Sequence, residues 1–298
     1  MIGRRQWMGG AALALGGWGM GAGLARAGAR EDFGALPEAF ARIEAAHGGR
    51  LGVAVLDTGS GRRAGHRQDE RFPMTSTFKM LAAGAVLARV DAGQERLERR
   101  IRFAREDLVT YSPATEKHAG RDGMTLAEIA GAAVTLSDNT AGNLLLDVLG
   151  GPAGLTAWAR GQGDEVTRLD RMETALNEGR PGDARDTTSP AAMLGHLQGL
   201  TLGQGLSDSS RALLRGWMRA SRTGDACLKA RLPQGWLVED KTGSGGHGTR
   251  NDVGLLWPPG GGAPVLVAAY LTSSPADAAT RDATLADVGA VVVAAWKG

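Results

Sequence analysis

Ser76 and Lys79 stand three residues apart at the start of an apolar run, Phe78–Val90. On a helix that spacing puts the hydroxyl and the amine on one face. A serine hydroxyl is a weak nucleophile until a base takes its proton, and an amine shielded from water can be that base. The free N–H groups at a helix N-terminus also suit a developing oxyanion. By itself the S-x-x-K spacing is a weak signal, and a capping serine followed by a surface lysine is its commoner meaning.

Three other places carry chemistry. Ser137-Asp138-Asn139 follows the apolar stretch Ile129–Leu136 and offers a hydroxyl and an amide either side of an acid. The plain alternative is a cap for the helix Asn139–Leu149. Lys241-Thr242-Gly243 ends a strand, and Ser244 and a run of glycines follow, with Arg250 shortly after. Gly243–Gly248 fits G-x-G-x-x-G, but that fingerprint must open a helix, and Asn251–Trp257 reads as another strand. The glycines therefore serve a hairpin, where Lys241, Thr242, Ser244 and Arg250 suit a carboxylate at a sheet edge. Finally, Arg171-Met172-Glu173 opens a polar loop that runs to Arg185-Asp186. Glu173 and Asn177 are spaced to hold one water, and Arg171 with Asp186 would tie the loop ends.

The elements that must position these groups follow from the pattern. Leu51–Leu56 reads as a buried strand, Asp57–Gly61 as a turn, and a second strand follows near Arg63–Arg67. From Phe78 to about Leu214 the pattern is mostly helical, with Leu126–Leu136 and Asn139–Leu149 as clear segments. Strands return at Trp236–Thr242, Asp252–Trp257 and Pro264–Tyr270, and Ala278–Trp296 closes the chain as a helix. This predicts an α/β fold: an antiparallel sheet built from both chain termini and flanked by helices, plus an inserted all-helical lobe. The α/β lobe would span about 28–68 and 220–298, the helical lobe about 69–219.

Taken in order, these places and their flanks resemble the class A serine β-lactamases. The resemblance runs from Arg71-Phe72-Pro73-Met74 through Asp107–Pro113 and Thr125-Leu126. It continues through Arg168–Arg171, Arg185–Thr188 and Gly235-Trp236 to Thr249–Asp252. It implies a β-lactamase/penicillin-binding transpeptidase-like fold with the site between the lobes. It also implies roles. Ser76 would be the nucleophile, Lys79 the group accepting or relaying its proton, and Ser137 the donor to the departing ring nitrogen. Glu173, with Asn177, would activate the deacylating water. Asn139 would hold the substrate side-chain amide, and Tyr111 would line the cleft wall. Lys241, Thr242, Ser244 and Arg250 would bind the substrate carboxylate, and the N–H groups of Ser76 and Ser244 would form an oxyanion hole. No metal or cofactor is implied.

Departures from the family pattern bear on substrate. Thr174 follows Glu173 where many members have proline, the residue that makes a cis bond inexpensive. Thr75 stands where the carbapenem-hydrolysing branch usually has cysteine, and the single Cys227 has no disulfide partner. Ser244 is a hydroxyl position that often accompanies cephalosporin turnover. The expected substrates are penicillins and some cephalosporins. A penicillin-binding D-alanyl-D-alanine peptidase shares the Ser/Lys, S-x-N and K-T-G elements, but Glu173 and Asn177 argue against slow deacylation. A non-catalytic β-lactam sensor would normally carry a transmembrane signalling segment.

Composition narrows the class. The chain has 298 residues, 43% hydrophobic and 22% charged, with Lys+Arg 34 against Asp+Glu 32. That excludes a disordered or polytopic membrane protein and gives no nucleic-acid footprint. One cysteine excludes an internal disulfide and a Cys-based zinc site. Arg4-Arg5, the apolar and glycine-rich Met8–Leu24, and Ala25-Arg26-Ala27 read as an export signal with twin-arginine character. Cleavage near Ala27 would take the formal charge from +2 to −1. The mature chain is then expected in the periplasm or secreted, as a monomer with small-molecule partners and no membrane contact.

Overall fold

A computed structural model of the protein describes residues 32–296; the expected export signal lies outside them. In chain order the elements are α1 (Leu36–His47), β1 (Arg50–Asp57), β2 (Arg63–His66), β3 (Phe72–Pro73), α2 (Phe78–Asp91), β4 (Arg100–Ile101) and β5 (Met124–Thr125). There follow α3 (Leu126–Thr135), α4 (Asn139–Leu149), α5 (Gly151–Gly161), β6 (Thr187–Thr188), α6 (Pro190–Thr201) and α7 (Asp208–Arg219). The chain ends with β7 (Leu237–Gly245), β8 (Thr249–Trp257), β9 (Val265–Thr272) and α8 (Ala278–Trp296).

The main sheet has the order β2-β1-β9-β8-β7, with every neighbour antiparallel. It is therefore built from both ends of the chain, as expected. β1 and β9 are buried on both faces, so alternate residues feed two cores. Leu51, Val53, Val55, Val267 and Ala269 pack with Leu36, Phe40, Leu285 and Val292 of α1 and α8. Ala54, Leu56, Leu266, Ala268 and Tyr270 face the helices of the other core. The axis of that second core is α2, whose residues Phe78–Leu87 are all buried. Although α6 follows the site-bearing loop, it packs on β1, β8 and β9.

Local chemistry fixes the helix ends near the site. Thr125 and Glu128 form a reciprocal capping box on α3. Asp138 Oδ1 accepts from the N–H of Ala141 at 2.9 Å and caps α4, and Gly150, at φ 91°, ends that helix in the left-handed region.

The hairpin differs in detail from the expectation. β7 and β8 are longer than the hydrophobic runs, and Gly243 and Gly245 lie inside β7; only Gly246–Gly248 turn the chain. Close approach explains the two strand glycines. A Cβ on Gly243 would stand 2.1 Å from Thr75 Oγ1, and one on Gly245 would stand 2.6 Å from the Asn177 carbonyl. The Glu173–Thr174 peptide is cis although residue 174 is not proline.

Candidate active site

Ser76 lies in a single 3₁₀ turn, Thr75–Thr77, that leads into α2, so Lys79 follows it by almost one helical turn. Lys79 Nζ donates to Ser76 Oγ at 3.0 Å, to the Ser137 carbonyl at 2.8 Å and to Asn139 Oδ1 at 2.6 Å. It also stands 2.9 Å from Glu173 Oε1, with both side chains sealed from solvent. Burial pushes the Lys79 amine below its ordinary value, against the opposing pull of the Glu173 charge. Once it has handed a proton to Glu173, a lysine so placed is a neutral amine that can take one from Ser76.

Glu173 is set by its own loop and by α4. Its Oε1 accepts from Ser76 Oγ at 3.5 Å, and its Oε2 accepts from Asn177 Nδ2 at 2.5 Å. The backbone of Glu173 is clasped from both sides by Asn143, whose Oδ1 accepts the Glu173 N–H at 2.8 Å and whose Nδ2 donates to its carbonyl at 3.1 Å. The loop ends are tied by Arg171 and Asp186, 2.5 Å apart, and Asp186 Oδ1 also accepts the N–H groups of Asp170 and Arg171.

The opposite wall comes from the segment before α4 and from β7. Lys241 Nζ donates to Ser137 Oγ at 2.9 Å and to the Thr242 carbonyl at 2.6 Å. Burial pushes the Lys241 amine well down, and the charge of Lys79 adds to that. Asn139 Nδ2 donates to the Thr110 carbonyl at 2.7 Å, and the Asn139 N–H donates to that of Tyr111. The cleft between these walls has a volume of about 250 Å³ and is lined by Ser76, Tyr111, Ser137, Asn139, Asn177, Thr223, Thr242, Gly243, Ser244 and Arg250. Tyr111 stands at its mouth, 57% exposed. Thr75, Tyr111, Ser137 and Asp186 all adopt positive φ without being glycine, a concentration of backbone strain typical of functional sites.

Arg250 holds the far end. It donates to Ser244 Oγ at 2.9 Å, to the Thr223 carbonyl at 3.1 Å and to Asp282 Oδ1 at 2.6 Å, and a further N–H points at Cys227 Sγ, 3.0 Å away. Thr242 Oγ1 is bonded to Thr223 Oγ1 at 2.5 Å. The structure thus gathers Ser76, Lys79, Ser137, Asn139, Glu173, Asn177, Lys241, Thr242, Ser244 and Arg250 around one cleft. Arg171 and Asp186 lie behind it, at the base of the loop.

Several residues escaped the sequence reading. Asn143, Thr223 and Asp282 belong to no motif and reach the site only through the fold. Asn251 Nδ2 donates to the Pro73 and Met74 carbonyls and to Thr75 Oγ1, and so holds the turn before Ser76 from across the sheet.

The comparisons agree with one another. A family model described as the beta-lactamase enzyme family matches residues 35–296. An ancestral class A β-lactamase (GNCA) is 62% identical, with a TM-score of 0.85, and the match covers 87% of this chain and 98% of that one. The class A β-lactamase of the last common ancestor of Gram-negative bacteria (GNCA4) is 61% identical at a TM-score of 0.85, covering 88% and 99%. A putative class A β-lactamase, PenP, from Rhodopseudomonas palustris is 60% identical at a TM-score of 0.85, again covering 88% and 99%. Identity of that order over nearly the whole described chain leaves one assignment: this protein belongs to the class A β-lactamases, a family of hydrolases.

Proposed function

We propose that the protein opens the β-lactam amide of penicillins and some cephalosporins through an acyl-enzyme on Ser76, and so confers resistance to them. Ser76 Oγ attacks the lactam carbonyl carbon as its proton passes to the Lys79–Glu173 pair. The C–N bond then breaks, and the ring nitrogen takes a proton through Ser137, which Lys241 holds in place. Backbone N–H groups of Ser76 and Ser244 steady the oxyanion, each donor lowering the barrier by roughly 3 kcal/mol. Arg250, Ser244, Thr242 and Lys241 hold the substrate carboxylate, Asn139 holds the side-chain amide, and Tyr111 packs on the exposed edge. Water positioned by Glu173 and Asn177 then attacks the ester carbonyl, and Ser76 is released.

The observation that carries this reading is the shared reach of Glu173. One oxygen faces both Ser76 and Lys79, and the other accepts from Asn177. A carboxylate placed there serves deacylation, which a slowly deacylating penicillin-binding peptidase lacks. Purified mature protein should therefore turn over a chromogenic cephalosporin many times, with EDTA present. A single stoichiometric burst would assign the protein to the peptidases or sensors instead. Among the described residues no helix is long and apolar enough to cross a membrane. We propose twin-arginine export, cleavage near Ala27 and a monomeric periplasmic or secreted enzyme acting on small molecules.

A further inference from the structure

Two carboxylates lie inside the main sheet without the partners that buried charge requires. β7 and β8 pair Thr242 with Asp252 and Asp240 with Gly254, so Asp240 and Asp252 stand diagonally on one face of adjacent strands, within side-chain reach. That face is opposite to the one carrying Lys241. Asp240 is 1% exposed and Asp252 not at all. Both oxygens of Asp240 and Oδ1 of Asp252 have no hydrogen-bond partner; Asp252 Oδ2 accepts the Leu228 N–H at 3.2 Å. Two ionised carboxylates cannot share such a place, whereas one proton between them turns two orphaned acceptors into a donor and its acceptor.

The surrounding charges do not supply the missing partners. Lys229 is held by Asp225 at 2.6 Å, Arg250 by Asp282 at 2.6 Å, and Lys241 by Ser137. Cys227 and Tyr270 are also neighbours of Asp252, and neither offers it a hydrogen bond. Burial pushes both carboxyls above the usual range, Asp252 furthest, and the charge of Asp240 adds to the rise at Asp252. The Ser221 hydroxyl, Lys229 and Lys241 oppose the rise at Asp240; Arg250, Lys241 and the Leu228 N–H oppose it at Asp252.

We propose that Asp240 and Asp252 share one proton at neutral pH and form a buried clasp that positions the Thr223–Leu228 segment against β7. The segment lies directly on the pair. A Cβ on Gly224 would stand 2.2 Å from Asp240 Oδ2, and Leu228 is bonded to Asp252. Its leading residue, Thr223, lines the cleft, bonds Thr242 and accepts from Arg250. The two aspartates touch no substrate and act through that segment as positioning residues.

Infrared difference spectroscopy tests the clasp without substrate. The wild-type protein at neutral pH should show a carboxylic-acid carbonyl band that disappears in both Asp240→Asn and Asp252→Asn, because an amide donates the same bond without a titrating proton. The unfolded chain does not hold this proton at neutral pH. Stability should therefore fall as pH rises between the ordinary carboxylate value and the raised value of the pair, and either asparagine variant should lose that slope. Absence of the band in the wild type, as a neutralising cation would produce, overturns the proposal, and so does its persistence in both variants. The activity arm rests on the β-lactamase reading. Asp252→Ala should raise KM for carboxylate-bearing substrates roughly tenfold with kcat less affected, and Asp252→Asn should restore it. Equal kinetics for the two variants would remove the positioning role. Should no β-lactam be hydrolysed at all, the band and the pH dependence of stability still decide the clasp.

Discussion

Lys79 Nζ and Glu173 Oε1 form an ion pair of 2.9 Å from which solvent is excluded on both sides, and Ser76 Oγ lies within hydrogen-bonding distance of each. A proton leaving Ser76 can therefore pass to Glu173 directly, or to Lys79 once the ammonium has given a proton of its own to Glu173. Removing the carboxylate charge while keeping its shape should leave acylation possible and stop the second half-reaction. Glu173→Gln should accumulate a covalent adduct on Ser76 by intact mass, with turnover reduced about 10²–10⁴-fold. An adduct on any other residue would displace Ser76 as nucleophile.

The loop that carries Glu173 depends on one buried anchor. Asp186 is almost fully buried and is neutralised by Arg171. Arg171→Ala leaves that carboxylate with backbone partners only, at a cost of about 3–5 kcal/mol. Chemical denaturation should show the loss. Single-turnover kinetics should show deacylation slowed more than acylation, because Ser76 and Lys79 sit on α2 and the turn leading into it, not on the loop.

How much of this was legible beforehand depends on range. Ser76 and Lys79, or Glu173 and Asn177, are three or four residues apart, so spacing alone places them together. That the sheet draws on both chain ends is also readable, because the strand-like runs at the two ends need a common partner; the strand order is not. The sequence expectation has no helix before the first strand, although Leu36, Ala39, Phe40 and Ile43 show the helical spacing of α1. Gly243 and Gly245 look like hairpin-turn residues in the sequence, which does not reveal that Thr75 and Asn177 press against that strand. Asn251 and Asn143 were invisible for the same reason: each bonds backbone groups far away in the chain.

Asn251 makes a sharp case, since its amide faces three acceptors, the Pro73 and Met74 carbonyls and Thr75 Oγ1. Asn251→Ala takes this donor from the Pro73 carbonyl and from Thr75 Oγ1, while the Met74 carbonyl keeps the Thr75 and Thr77 hydroxyls, and the loss costs about 1–3 kcal/mol. Asn251→Asp should be worse than alanine, because a carboxylate turns oxygens toward oxygens. Thermal unfolding and kcat should both rank wild type above Ala above Asp.

Acid should act through Asp164 among others. His196 at 2.8 Å and the N–H groups of Val166 and Thr167 stabilise the Asp164 carboxylate and outweigh its burial, holding it well below the usual carboxylate range. A depressed native value means stability that is full above the ordinary carboxylate value and is lost as pH falls toward the native one. Asp164→Asn should therefore be less stable than wild type at neutral pH, and the two curves should converge in acid. A constant difference at all pH values would show that packing against Trp158 and His196, not ionisation, carries the effect.

Arg250 presents Nη1 to Ser244 at the cleft and spends Nε and Nη2 on Asp282, Thr223 and Cys227. Its charge can reach a substrate carboxylate only at the Ser244 side. Truncation to alanine should weaken the binding of that carboxylate by one charge-assisted bond, about 1.5–3 kcal/mol, or roughly ten- to a hundredfold in KM. The matched control is a substrate whose carboxylate is blocked as an ester: Arg250→Ala and wild type should then differ by less than about twofold. If the ester loses as much as the free acid, Arg250 shapes the cleft through Thr223 and Asp282 rather than by meeting the anion.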